Sequence, residues 1–205
     1  VCTFTNTRDT GSITVVKNTV GGNGTFSFST NTPLGSFDLT TVGGTKSTST
    51  VSLNTGVYNL AESVPAGWTL ADLNCTGTTQ SKNFPSVQIT VAKGENVVCT
   101  FSNSRDTGTI QVVKNAVGGN ASFSFNSNTS LGNFNLATVN GTAQTAVTAT
   151  DSGSYSIAET LPVGWSLTGA SCTGAQASVQ GTTVNITVVK GANVVCTFTN
   201  TRDTA

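Results

Sequence analysis

Apolar residues along this chain recur at alternate positions in short runs and never at helical spacing. Such a period of two marks half-buried strands. In the first half, strands are predicted at residues 13–17, 25–29, 37–41, 48–53, 57–62, 68–75, 87–92 and 97–103. Gly21-Gly22-Asn23-Gly24 reads as a turn, and Lys93-Gly94-Glu95-Asn96 as the hairpin turn between the last two strands. Many short strands separated by Gly, Asn and Pro signals predict an all-β, Ig-like sandwich.

The pattern then repeats with a period of 97 residues, seen in Cys2, Cys99 and Cys196 and in Asn6, Asn103 and Asn200. Lys17 recurs as Lys114, Glu62 as Glu159, Trp68 as Trp165 and Cys75 as Cys172. Two tandem sandwich repeats are therefore expected, at 11–107 and 108–205. Residues 1–10 (VCTFTNTRDT) match the end of each copy and read as the final strand of a preceding repeat, or as a strand donated to a neighbouring subunit. Val1 thus reads as an internal start of a longer array. The junction Ser104-Arg105-Asp106-Thr107-Gly108 is too short for free tumbling, so a semi-rigid array is expected.

Strand parity places unexpected chemistry on the inner faces. Ile13, Val15 and Lys17 share one face; Tyr58, Leu60 and Glu62 a second; Val97, Cys99, Phe101 and Asn103 a third. The second copy does the same with Lys114, Glu159 and Asn200. Buried charges are costly unless paired or neutralised. The plain reading is a noncovalent Lys–Glu pair hydrogen-bonded to Asn.

Composition sharpens this. Charged residues are 9% of the 205, with nine basic and nine acidic side chains and no His. An average soluble domain has roughly 25% charged residues, so an inward Lys and Glu in each copy is a large share of a small supply. Zero net charge leaves no basic surface for nucleic acid, and no apolar run reaches the length of a membrane span. There is no His and no nucleophile paired with a base, so an enzyme is not expected, nor is a cofactor or a metal.

The five cysteines contain no CxxC spacing, which argues against zinc. Their equal spacing favours intradomain disulfides, Cys75 with Cys99 and Cys172 with Cys196, each contributing about 3 kcal/mol. Cys2 would then pair in an upstream copy. Disulfides imply an extracellular, oxidising location.

The first strand ending in Lys (GSITVVK, GTIQVVK), the segment YNLAESVPAGW or YSIAETLPVGW, and the last strand ending in Asn (VVCTFSN, VVCTFTN) together resemble the prealbumin-like, collagen-adhesin B-type domains of bacterial surface proteins and pili. The resemblance covers both copies. It implies an isopeptide bond between Lys17 and Asn103 promoted by Glu62, and between Lys114 and Asn200 promoted by Glu159. Asn6 would have served an upstream Lys.

Other features weigh less. Trp68 and Trp165 are expected to pack on the core, and Tyr58 and Tyr155 at a corner. Arg105-Asp106 recurs at each junction, as Arg8-Asp9 and Arg202-Asp203, and either sets the angle between repeats or is a solvated pair. The leading expectation is a structural unit of a surface fibre, stalk or adhesin whose partners are further copies of the repeat, in one chain or in neighbouring subunits. The alternative is an adhesin module binding glycan or protein through sandwich-end loops; the copies diverge at 43–55 against 140–152 and at 76–87 against 173–184.

Overall fold

The structure is a computed structural model that describes residues 1–204; Ala205, the last residue of the second expected repeat, lies outside the described residues. The chain forms two compact units, Val1–Arg105 and the remainder from Asp106. Each is a β-sandwich, and no helix occurs among the described residues.

The first unit has ten strands: β1 (Thr10–Val20), β2 (Thr25–Thr30), β3 (Phe37–Thr40), β4 (Thr45–Ser47), β5 (Val51–Asn54), β6 (Gly56–Ser63), β7 (Trp68–Thr76), β8 (Thr79–Asn83), β9 (Ser86–Val91) and β10 (Asn96–Arg105). One sheet has the order β4-β1-β10-β7, with β5 also paired to β1. The other has the order β3-β2-β6-β9-β8. All ladders are antiparallel except β1 with β10, which run parallel from Ser12↔Asn96 to Val20↔Ser104. The first and last strands of the unit are thus central neighbours.

Alternation explains the core. Ile13, Val15, Phe26, Phe28, Leu60, Leu73, Ile89, Val97, Cys99 and Phe101 are all buried between the sheets, while Ser, Thr and Asn occupy the outward positions. Trp68 is buried edge-on to Phe26, with ring centroids 5.2 Å apart. Tyr58 closes a corner by donating its hydroxyl to Asn54 O at 2.9 Å.

Long β1 meets two short partners in turn, β5 at Thr10–Ile13 and β4 at Val16–Asn18. Thr48 bridges the break: its N–H donates to Val15 O at 2.9 Å and its hydroxyl accepts from Val15 N at 3.0 Å. β4 and β8 are strands that the hydrophobic pattern does not announce. Both are edge strands of largely exposed polar residues.

The second unit repeats the plan with β11 (Thr107–Val117), β12 (Ser122–Ser127), β13 (Phe134–Ala137), β14 (Thr142–Gln144), β15 (Thr148–Asp151), β16 (Gly153–Thr160), β17 (Trp165–Thr173), β18 (Gln176–Gln180), β19 (Thr183–Val188) and β20 (Asn193–Arg202). Its sheets are β14-β11-β20-β17, with β15 on β11, and β13-β12-β16-β19-β18. Residues 1–9 belong to no strand.

Candidate functional site: a buried lysine, asparagine and glutamate

Lys17 follows Ile13 and Val15 in the inward row of β1, with buried Thr19 beyond it, and lies beside Phe101 in the parallel ladder. Its side chain runs forward to Asn103, two residues further along β10, and donates to Asn103 Oδ1 at 2.6 Å. Glu62 comes from the facing sheet, where it is paired with Phe28. Asn103 Nδ2 donates to Glu62 Oε1 at 2.8 Å, and Lys17 Nζ stands 3.5 Å from the same oxygen. Three strands from two sheets therefore bring amine, amide and carboxyl into contact inside the sandwich. Lys17, Glu62 and Asn103 have 0%, 2% and 1% of their surface exposed.

The pocket is aromatic as well as polar. Lys17 Nζ sits 4.4 Å from the centre of the Phe26 ring, and it also donates to Phe101 O at 3.0 Å and Asn18 O at 3.2 Å. Phe28 packs edge-on to Phe101 at 5.1 Å. These phenylalanines exclude water from the amine. The Phe-Ser-Phe alternation of β2, repeated as Phe123-Ser124-Phe125, is the sequence signal that turns the β2 rings inward.

The second unit reproduces the arrangement. Lys114 Nζ donates to Asn200 Oδ1 at 2.6 Å, lies 3.2 Å from Glu159 Oε1, and sits 4.2 Å from the centre of the Phe123 ring. Lys114, Glu159 and Asn200 are buried. Neither Glu159 oxygen nor Asn200 Nδ2 makes a well-aligned hydrogen bond here, and Glu62 Oε2 is likewise unpartnered.

Burial disfavours both charges. It lowers the Lys17 amine from its ordinary 10.5 to about 8, against the opposing pull of Glu62. It lowers Lys114 too, and raises the Glu62 and Glu159 carboxyls above the usual carboxylate range. Such a site can hold a neutral amine beside an amide carbonyl and a protonated acid.

Each sandwich carries one disulfide between directly opposed strands, Cys75–Cys99 across β7 and β10 and Cys172–Cys196 across β17 and β20. Cys2 is an exposed free cysteine, and Asn6 is exposed. Arg105 ends β10 and packs its guanidinium 4.9 Å from the Trp68 ring of its own unit. Asp106 opens the next unit, with Lys190 Nζ at 3.0 Å, as Asp9 does with Lys93 at 2.8 Å. Asp38, Asp72 and Asp151 are exposed, and no metal-binding cluster of His, Cys, Asp or Glu occurs among the described residues.

The model of the prealbumin-like fold domain matches residues 13–105 and again residues 110–202. The chain belongs to this family. Among solved structures, it is similar to the major pilin protein T-13 of Streptococcus pyogenes, at 13% identity and TM-score 0.57, over 96% of this chain and 100% of that one. A second S. pyogenes major pilin, T3.2, gives 13% identity and TM-score 0.53, over 94% and 98%. Another major pilin structure from that organism gives 13% and 0.52, over 97% and 100%. At these identities the likeness concerns the fold. No curated protein sequence matches the chain.

Proposed function

We propose that this chain is a load-bearing stretch of an extracellular surface fibre, stalk or adhesin, in which each repeat locks itself with a Lys–Asn isopeptide bond. The observation that carries the reading is the buried contact of Lys17 with Asn103 and Glu62, repeated at Lys114, Asn200 and Glu159. The pilin structures of the same fold support the filament role.

The chemistry follows from the site. The neutral Lys17 amine attacks Asn103 Cγ, while protonated Glu62, which lies against the amide nitrogen, gives its proton to the departing Nδ2 and takes up the proton that the amine loses. A C–N bond forms to Nζ, the bond to Nδ2 breaks, and one ammonia leaves. The fold supplies the proximity. Each site reacts once, so this is self-modification and not turnover.

The topology gives the bond a mechanical purpose. The unit is entered through β1 and left through β10, which run parallel side by side. Tension on the two ends shears that ladder along its length. A bond from Lys17 to Asn103 takes the residues between them out of the load path. The partners are further copies of the repeat, and the location is outside the cytoplasm, where the two disulfides persist.

The test is the intact mass after reduction. The reading expects a chain lighter than its sequence by two ammonias; the full sequence mass would overturn it.

A second reading, ligand binding by an adhesin, draws on one difference between the copies. On the outer face of the first unit, Gln88 Nε2 donates to Asn59 Oδ1 at 3.2 Å. Ser156 and Asn185 replace that pair in the second unit and line a shallow polar depression with Asn128, Ser154 and Gln176. A glycan array probed with the full chain and with Ser156→Asn/Asn185→Gln tests it; binding lost in the variant supports the reading.

A further inference from the structure

The two disulfides are chemically alike and differently guarded. Cys75 and Cys172 lie on edge strands, opposite Cys99 and Cys196 on central ones. Both central cysteines are 0% exposed. The sulfur that must leave as a thiolate therefore sits in matching surroundings, and its contribution to reactivity cancels between the units. The edge cysteines differ: Cys75 is 3% exposed, whereas Cys172 is only partly buried.

A mesh of side chains makes the difference. In the first unit Gln80, on β8, clamps the open edge of β7: Cys75 N donates to Gln80 Oε1 at 2.9 Å, and Gln80 Nε2 donates to Cys75 O at 2.8 Å. Gln80 Nε2 and Lys82 Nζ also donate to Asn74 Oδ1, at 3.1 and 3.2 Å. The amide thus plays the part of a missing neighbour strand along the backbone of Cys75. In the second unit the equivalent positions are Ser171, Ala177 and Val179, which cannot build the mesh. The buried Leu73 beside Cys75 is also reduced there, to Ala170.

We infer that Cys172–Cys196 is this chain's site of exchange with small thiols, with the mixed disulfide formed on Cys172, while Cys75–Cys99 is sealed. A thiolate attacks Cys172 Sγ, the Cys172–Cys196 bond breaks, and Cys196 departs as a thiolate that takes a proton from water. A second thiolate then attacks the sulfur of the adduct, releasing Cys172 and a small disulfide. Two small thiols are oxidised and one protein disulfide is reduced. β17, a sheet edge, is then held to β20 by hydrogen bonds and packing alone.

The two bonds compete within one folded molecule, so the first test needs no unit to survive mutation. The full chain carrying Cys2→Ser, which removes the exposed thiol, is incubated natively with glutathione or dithiothreitol, quenched with iodoacetamide and mapped by peptide mass. Cys172 and Cys196 are expected to react about tenfold or more faster than Cys75 and Cys99, the scale of one or two hydrogen bonds lost from a local opening. The glutathione adduct is expected on Cys172. Gln80→Ala should speed reaction at Cys75, and Ser171→Asn/Ala177→Gln should slow it at Cys172. Equal wild-type rates, or faster reaction at Cys75–Cys99, would overturn the inference. So would a Gln80→Ala variant with an unchanged circular dichroism spectrum and an unchanged rate at Cys75.

Discussion

Glu62 reaches Asn103 across the interior of the sandwich: Asn103 Nδ2 donates to Glu62 Oε1 at 2.8 Å, from a strand of the opposite sheet. The carboxyl is thus aimed at the nitrogen that departs in the proposed reaction, while Lys17 approaches the oxygen side of the same amide.

The geometry makes the glutamate removable one repeat at a time. Glu62→Gln keeps the shape and hydrogen-bonding capacity of the side chain but cannot relay a proton. The expected mass after reduction is short of one ammonia instead of two, with the Lys114–Asn200 linkage intact. Glu62→Gln/Glu159→Gln is expected at the full sequence mass of the variant. A double variant still short of two ammonias would show that the carboxyls play no part.

A second consequence concerns pH. In the unlinked double variant, both amines titrate in the fold below their ordinary 10.5, since burial disfavours the ammonium. Between the lowered value and 10.5 the unfolded chain binds more protons than the folded one, so stability rises with pH through that window. In a wild type linked as proposed, these lysines are amides and contribute no such slope. Urea midpoints measured from pH 7 to 10.5 are expected to climb more steeply in Glu62→Gln/Glu159→Gln. Parallel slopes would mean that the wild-type amines still titrate.

Much of this site was legible from strand parity. The rows Ile13-Val15-Lys17 and Val97-Cys99-Phe101-Asn103 are inward because each polar member shares a face with apolar residues, and all seven are buried. The aromatic wall was less legible. The alternation of Phe26 and Phe28 marks an inward face, but pairwise sequence pattern does not tell which ring meets the amine. β4 and β8 left no hydrophobic trace, since Thr45, Lys46 and Ser47 are all exposed and their pairing is carried by the backbone. The Asn74-Gln80-Lys82 mesh was equally silent: it joins polar residues across a turn, and only tertiary structure brings them together.

Phe26 offers a separate test of packing. Its ring is fully buried, meets Trp68 edge-on and covers the Lys17 amine. Phe26→Ala should destabilise the first unit by about 3–5 kcal/mol through lost burial and a residual cavity. The opening also admits water, which moves the Lys17 amine back toward 10.5 and depletes its neutral form. Bond formation in the first repeat is therefore expected to slow, followed as loss of ammonia by the mass of newly translated chain over time. Unchanged stability would show that the ring is not part of a tight core.

The turn from β7 to β8 runs close against the start of β10. Gly77 adopts φ +72°, and a Cβ there would collide with Asn96 O. Gly94, with φ +76° in the β9–β10 hairpin, has open space around the same position. Both Ala substitutions bear the left-handed backbone penalty of about 1–2 kcal/mol, but only Gly77→Ala adds a clash with main chain that cannot rotate away. The turn must then shift, and it carries both the edge of β7 and Gln80. Gly77→Ala is expected to lower the thermal midpoint well beyond Gly94→Ala and to speed thiol reaction at Cys75. Equal midpoints would show that the turn relaxes freely, and that its close approach to Asn96 does not hold the strand edge in place.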